Sequence, residues 1–206
     1  MQSYPCDVSE YFQISDPRTL KAVAHPLRVR MLGRLRTHGP ATATELAREV
    51  GESSGLTSYH LRELAKYGFI EEDPGQRDAR ERRWRAKHQY TAWRNADMAG
   101  TPEGRAAAGA MRGVQLSALT AEFAAFEQDM GAMTEDWVNA IGMSNRMATL
   151  TPASVLELWT RLVEVIDELV ARDEGDPAAK EVHVHLAAFL RTHLDSYLSG
   201  TPRESE

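Results

Sequence analysis

Apolar residues recur at helical spacing near the start of the chain and predict two helices before residue 40. Asp16-Pro17 is a helix-start signal, with Asp capping the first turn and Pro at the first helical position. Pro26 disfavours helical geometry at His25, so it ends the first helix and opens a second. The apolar face of this second helix is formed by Leu27, Met31 and Leu35.

A short helix and a longer one are predicted next, with a tight turn between them. Thr42-Ala43-Thr44-Glu45 has the spacing of a capping box, in which each end residue's side chain accepts a bond from the other's backbone N–H. Gly51 ends the short helix, and the next helix is predicted over about 54–67. A short helix, a tight turn and a helix that begins with small polar residues form a helix-turn-helix pattern.

The longer of these helices has an apolar side and a polar side. Its predicted buried side is Leu56, Leu61 and Leu64, and the opposite side carries Gly55, Thr57, Ser58, Tyr59 and Arg62. Short hydroxyl side chains let a helix enter a DNA groove, while Tyr and Arg reach phosphates or base edges. For His60, which precedes Leu61, two interpretations stay open: a contact to DNA, or packing near the core.

A hairpin with a basic tip is predicted after this helix. Tyr67-Gly68-Phe69-Ile70 closes the helix and starts a strand, a polar tip follows at 76–80, and the chain returns over 81–86. Such a hairpin is typical of a wing that lies along a phosphate backbone or enters the minor groove. The alternative is a solvated hairpin whose arginines keep the strand edge soluble.

Charge is divided unequally along the chain of 206 residues, whose net charge is −6. Residues 16–94 hold 16 Lys+Arg and 10 Asp+Glu, a net charge of +6, whereas residues 95–206 hold 8 and 18, a net charge of −10. An acidic total argues against a nucleic-acid partner, but a basic first half argues for one. We therefore expect a polyanion-binding unit followed by a unit with another role.

The acidic half is predicted to contain two long helices and a small amount of strand. The linker near 95–103 is followed by a helical pattern from Glu103 to Met130, and Thr151-Pro152 starts another helix. At 181–190 apolar and polar residues alternate, which predicts a strand. The resulting fold class is mainly α with a small β component, with a winged helix-turn-helix domain followed by a helical or α+β dimerisation or sensing region.

The alternation at 181–190 would put three possible metal ligands on one strand face: Glu181, His183 and His185. Such a row could hold zinc, although a solvated strand face is the simpler interpretation. We therefore assign no metal and no cofactor.

Several classes of protein are disfavoured by composition. No run of apolar residues reaches the ~18 needed to cross a membrane. A single cysteine, Cys6, fits a reducing cytoplasm and cannot form an internal disulfide. No Gly-rich phosphate loop and no Ser/His/Asp or Cys/His set is recognisable, so the chain is not expected to be an enzyme.

Four stretches together resemble the ArsR-type winged helix-turn-helix transcriptional regulators of bacteria, with a C-terminal extension. They are Leu20-Lys21-Ala22-Val23-Ala24-His25-Pro26-Leu27-Arg28, Glu45-Leu46-Ala47, Thr57-Ser58-Tyr59-His60-Leu61-Arg62-Glu63-Leu64 and Tyr67-Gly68-Phe69-Ile70. The similarity covers roughly residues 12–90. The Cys-x-Cys pair that many metal-sensing members carry is absent from 43–49, which excludes that kind of thiophilic-metal sensor.

The resemblance implies a homodimer that places two recognition helices in successive major grooves of double-stranded DNA. Candidate DNA-binding residues are Arg28, Ser54, Gly55, Thr57, Ser58, Tyr59, His60, Arg62, Arg77, Arg80, Arg82 and Arg83. The expected domains are a winged helix-turn-helix at 12–95 and a dimerisation or effector region at 103–200, where a small-molecule effector is possible.

The expected function is a sequence-specific transcriptional regulator, a cytoplasmic homodimeric repressor. Two alternatives remain at this point. One is a winged-helix module that binds a protein partner, and the other is a metal-responsive regulator that uses His183 and His185.

Overall fold

The computed structural model describes residues 11–75 and 82–190, and Arg77 and Arg80 lie outside the described residues. The described residues up to Met143 form one compact unit and those from Ser144 belong to another. The elements of the first unit are β1 (Tyr11–Ile14), α1 (Pro17–Val23), α2 (Pro26–His38), β2 (Ala41–Thr42), α3 (Ala43–Val50), α4 (Ser54–Lys66), β3 (Ile70–Glu72), β4 (Arg83–Ala86), β5 (Tyr90–Trp93), α5 (Asn95–Ala99), α6 (Pro102–Asp129) and α7 (Glu135–Ala140).

The helix starts follow the capping signals in the sequence. The Asp16 carboxylate accepts a hydrogen bond from the Thr19 N–H at 2.9 Å, and Pro17 begins α1. Pro26 begins α2, whose cap is His25, and Thr101 caps α6. These local signals confirm the predicted starts because each satisfies backbone N–H groups that have no partner inside the helix.

Two small sheets hold the helices together. In one, β4 lies between β2 and β3 and is antiparallel to both, with Trp84 opposite Ala41 on one side and Glu72 on the other. In the other, β1 pairs with β5 in parallel, and the Tyr11 and Tyr90 rings stack 4.9 Å apart. The sheets tie the chain before α1 and the hairpin after α4 to one core.

The core extends beyond the three helices of the helix-turn-helix region. It includes Leu20, Val23, Leu27, Met31, Leu35, Leu46, Leu61, Leu64, Phe69, Ile70 and Trp84, and it continues into Met98, Ala107, Ala108 and Met111. The first turns of α6 thus pack with α1 and α5. The helix predicted from Glu103 is confirmed, and its first part belongs to this core.

The second unit is simpler than predicted. Its described residues contain one regular element, α8 (Pro152–Asp173), which starts at the predicted Thr151-Pro152. The strand predicted at 181–190 is wrong, because those residues have no regular secondary structure. Alternation alone does not make a strand, since a strand also needs a neighbour to accept its backbone hydrogen bonds.

Candidate nucleic-acid interface

The helix-turn-helix is fixed by hydrogen bonds at its turns. The capping box is present: Thr42 N–H donates to Glu45 Oε2 at 2.7 Å, and Glu45 N–H donates to Thr42 Oγ1 at 3.1 Å. The first of these bonds is the largest of the effects that lower the pKa of Glu45. Gly51 ends α3 with φ of 74°, a left-handed conformation that favours glycine, and Ser53 then caps α4.

The exposed face of α4 carries five of the predicted site residues. Ser54, Gly55, Tyr59 and Arg62 are exposed, and Ser58 is half-buried. Tyr59 is a large aromatic side chain with 49% of its surface exposed. The long side chains of Tyr59 and Arg62 can contact phosphates or base edges, while the small neighbouring residues let a nucleic-acid backbone approach the helix closely.

The predicted rotation of α4 is partly wrong. Thr57 is fully buried and its hydroxyl donates to the Ser53 carbonyl at 3.0 Å, so it does not lie on the exposed face. Leu56, expected to be inward, is 40% exposed. The buried stripe is Thr57, His60, Leu61 and Leu64, which has the i, i+3, i+4, i+7 spacing of one helix face.

His60 packs inward, which decides between its two interpretations. It is only 5% exposed, and its Nδ1 accepts a hydrogen bond from Arg28 Nε at 3.1 Å. Arg28 also donates through Nη1 to the carbonyl of Ala22. Two donors of Arg28 are therefore engaged within the protein, and both side chains sit behind the face that α4 exposes.

The base of the hairpin is held by strand pairing of β4 with β2 and β3. Trp84 of β4 is buried, and the Arg82 guanidinium lies 5.6 Å from its ring centroid. Arg82 Nε is 3.1 Å from Glu72 Oε1, and both side chains are more than half exposed. Arg82 therefore remains at the surface, where it can face a polyanion.

Arg83 takes a different role from Arg82. Its Nη2 donates to the Pro40 carbonyl and its Nη1 lies 3.6 Å from Glu45 Oε1, so it joins the hairpin to the start of α3. Arg85 pairs with Glu71 across the two strands at 2.6 Å. The arginines of β4 thus hold the hairpin in place as well as giving it positive charge.

A groove lies between the start of α3, the exposed face of α4 and the base of the hairpin. Its volume is about 370 Å³. The residues that line it are Thr42, Ala43, Thr44, Ser58, Arg62, Arg82 and Trp84. It brings together Ser58, Arg62 and Arg82, three predicted site residues that come from two separate elements.

Sequence reasoning missed four residues that line this groove: Thr42, Ala43, Thr44 and Trp84. Thr44 is an exposed hydroxyl in the first turn of α3, and Trp84 forms the wall under Arg82. The signal for Thr44 was its place inside the capping box, where it follows the cap by two residues. Trp84 could have been found from the alternation along β4, in which it is the inward residue between two arginines.

Arg34 and Arg36 hold the scaffold behind the groove. Arg34 donates to both carboxylate oxygens of Glu49, at 2.6 and 2.8 Å, and this pair lowers the pKa of Glu49. Arg36 donates to the His88 carbonyl at 3.0 Å and to the Thr91 hydroxyl at 2.6 Å. Burial lowers the pKa of Arg36 to about 10, so it remains a cation at neutral pH.

The possible metal ligands of the acidic half are not arranged as a site among the described residues. The His183 and His185 rings are 6.4 Å apart on a segment without strand structure. Within 11–75 and 82–190, no group of three or more His, Cys, Asp or Glu residues could hold a metal ion. No helix in the described part of the chain is both long and apolar enough to span a membrane.

Residues 23–73 match a family model described as a helix-turn-helix domain, a stretch of less than half the chain that includes α2, α3 and α4. A solved structure of a MarR family regulator from Neisseria meningitidis is 18% identical, with a TM-score of 0.27, and the match covers 74% of this chain and 79% of that one. That likeness is too low to carry an argument. No curated protein matches the chain.

The helix-turn-helix match and the hairpin that follows it show that the first unit contains a winged helix-turn-helix. In this unit a basic groove, an exposed helix face and a β-hairpin all lie next to one another. These features support a DNA-binding transcriptional regulator.

Proposed function

We propose that this protein is a sequence-specific regulator of transcription that binds double-stranded DNA as a homodimer and acts as a repressor of the ArsR type. The observation that carries the proposal is the groove shared by α4 and the hairpin, which sets Arg62 and Arg82 beside the hydroxyls of Ser58 and Thr44. Two guanidiniums and two hydroxyls form a donor set suited to phosphate oxygens.

In the proposed complex, α4 enters the major groove and the hairpin follows the phosphate backbone. Tyr59 and Arg62 lie on the exposed face of α4, so they are placed to select sequence, while Arg82 supplies affinity that does not depend on sequence. Thr57 and His60 are left out of the interface because both are buried. Arg77 and Arg80 remain candidate contacts of the hairpin tip.

We propose that the helices beyond the winged helix-turn-helix form the dimer. The part of α6 after Met111 has exposed apolar residues such as Leu116. In α8 no residue is buried in the described structure, and apolar side chains such as Leu156 and Leu169 are exposed. Apolar helix faces of this kind pack against other helices. The division into 12–95 for DNA binding and 103–200 for dimerisation and an effector stays part of this proposal.

The test begins with selection of bound duplexes from a random pool by the full-length protein. Arg82→Ala should weaken binding to all selected duplexes and reduce the slope of log affinity against log salt by about 1, because one phosphate contact is lost. Tyr59→Ala should instead change which duplexes are preferred. Arg18→Ala, which removes one exposed arginine from α1, is the matched control and should leave the slope unchanged.

Three results would refute parts of the proposal. Failure to retain any duplex at low salt would refute DNA binding and leave a protein-binding winged helix as the better interpretation. An unchanged salt slope for Arg82→Ala would remove the hairpin from the interface. Sedimentation of the full chain as a monomer at the concentrations that bind DNA would refute the homodimer.

A further inference from the structure

A cluster of two histidines and one arginine joins α4 to the start of α2. The rings of His25 and His60 lie 4.5 Å apart between centroids, tilted by 39°. Arg28 bridges from His60 to the Ala22 carbonyl, so the same cluster also holds the end of α1. The Tyr59 and His60 rings lie edge to face with their centroids 5.1 Å apart, which places His60 next to an exposed residue of α4.

The hydrogen bonds in this cluster require both imidazoles to be neutral. His60 Nδ1 accepts from Arg28 Nε at 3.1 Å, and His25 Nδ1 accepts from the Leu27 N–H at 3.2 Å. A nitrogen that accepts carries no proton, and an imidazolium has no accepting nitrogen. Protonation of His60 would therefore replace a hydrogen bond to Arg28 by two donors that face each other.

Charges around the cluster oppose that protonation. Burial lowers the pKa of His60 from its usual value, and the neighbouring His25 and Arg28 lower it further, against smaller opposing effects of Glu52 and Glu63. The pKa of His25 is lowered by burial and then by Arg28. These groups come from α2, its cap, the turn before α4 and α4 itself.

We propose that His60 and His25 form an acid-sensitive latch that positions the recognition helix α4 against α2 through Arg28. When both rings are neutral the latch is closed and α4 is held in its binding position. Acidification protonates the rings, separates Arg28 from His60 and loosens α4. His60 is thus a positioning residue that acts through Arg28, and the consequence for DNA rests on the proposed function.

The sign of the pH effect follows from the lowered pKa values. The unfolded chain binds protons at an ordinary histidine pKa of 6.5, and the folded chain binds them only at lower pH. The contribution of the two histidines to folding stability is therefore fully present above about pH 7. It is lost as the pH falls below 6.5 and through the lower pKa values of the folded state.

The first test measures thermal unfolding of the full chain at pH 7.5 and 5.5 and needs no DNA. We expect the wild-type midpoint to fall by about 3 °C or more between these values. His60→Gln keeps an acceptor for Arg28 but cannot titrate, so its midpoint should fall by less than half as much. The matched control His38→Gln removes an exposed histidine at the end of α2 and should fall as the wild type does. Equal falls for His60→Gln and wild type would overturn the latch.

A second measurement uses only the wild-type protein, so its result does not depend on whether a variant folds. Titration of the imidazole resonances by NMR should give midpoints below 6.5 for both His25 and His60, with the Arg28 Nε–H resonance shifting at the same pH. Midpoints at or above 6.5 would overturn the proposal.

Binding of a selected duplex is then compared at the two pH values. Wild type and His38→Gln should lose affinity severalfold at pH 5.5, and His60→Gln should lose less. If stability follows the latch but duplex affinity does not, the coupling of the latch to DNA is refuted. If no duplex is bound even at pH 7.5, the proposed function fails while the unfolding and NMR results still decide the latch.

Discussion

Gly104 offers a sharp test of how α6 joins the winged helix-turn-helix. It is buried in the first turn of α6, where the chain passes very close to the end of α5. A Cβ built on Gly104 would lie 2.9 Å from both the carbonyl carbon and the Cα of Met98, and closer still to its carbonyl oxygen. These are backbone atoms, so a side-chain rotation cannot relieve the contact.

The expected cost of Gly104→Ala is that of overpacking a filled core. Met98 is 1% exposed, so the backbone of α5 cannot move away without disturbing the core around it. Overpacking of this kind costs about 1–3 kcal/mol. For a chain of this length each kcal/mol lost from the free energy of unfolding lowers the unfolding midpoint by about 2–4 °C. The midpoint of Gly104→Ala should therefore fall by roughly 2–12 °C.

Gly109 is the matched control because it lies in the same helix, is exposed, and has nothing within 4 Å of a built Cβ. Ala should be the better residue there by about 0.5–1 kcal/mol, because Gly loses more backbone freedom on folding. The same substitution should thus have opposite signs at two positions of one helix. Calorimetry and circular dichroism on the full chain measure both. A Gly104→Ala protein as stable as Gly109→Ala would refute the close packing of α5 on α6.

Three further predictions concern the scaffold of the helix-turn-helix. Thr42→Ala removes the capping box and should lower the free energy of unfolding, measured in urea, by about 1 kcal/mol. The control Thr44→Ala in the same turn should change it by less than about 0.5 kcal/mol. Equal effects of the two substitutions would contradict the cap assignment. Arg34→Ala breaks the exposed two-bond pair with Glu49 and should cost about 0.5–1 kcal/mol at low salt, an effect that should shrink in 1 M salt. Because the pKa values of Glu45 and Glu49 lie below the usual 4.5, their stabilisation is present above about pH 5 and is lost as pH falls through the folded-state values; urea midpoints that are flat between pH 5 and 3 would contradict it.

Local signals in the sequence predicted the helix starts correctly because the physics that sets them is local. A cap residue bonds to a backbone N–H two or three positions away, so Asp16-Pro17 and Thr42 to Glu45 contain the whole interaction. The basic hairpin and its place after α4 were predicted on similar grounds. The match to a helix-turn-helix domain supports the same part of the chain.

Which residues of α4 are buried was harder to predict, since this depends on what packs against the helix. Polarity alone predicts that the apolar Leu56 is buried and the polar Thr57 exposed, whereas Leu56 is 40% exposed and Thr57 is buried. A helix turns about 100° per residue, so the choice between neighbours decides a whole face. The spacing from His60 and Leu61 to Leu64 would have selected Thr57, a small residue whose hydroxyl bonds within its own helix.

Contacts between distant parts of the chain could not be derived from patterns at all. Arg28 donates to His60 and Arg83 donates to the Pro40 carbonyl, 32 and 43 residues away along the chain, and no local pattern pairs these residues. The segment at 181–190 is the opposite case. Its alternating sequence predicts a strand, but these residues have no regular secondary structure. Sequence patterns report which face a residue prefers, and the partner that uses that face is set by the fold.

The parallel pair of β1 and β5 has a consequence for how the protein is made. Tyr11 lies opposite Tyr90, so almost the whole winged helix-turn-helix separates two strands that must meet. Closing a loop of this length carries an entropic cost that is recovered only once both strands are present. During synthesis the first strand has no partner until the ribosome has passed Trp93, and the packing of α1 against α6 is incomplete until Met111. The unit should therefore complete its folding late, while the acidic half is still emerging at about 5–20 residues per second.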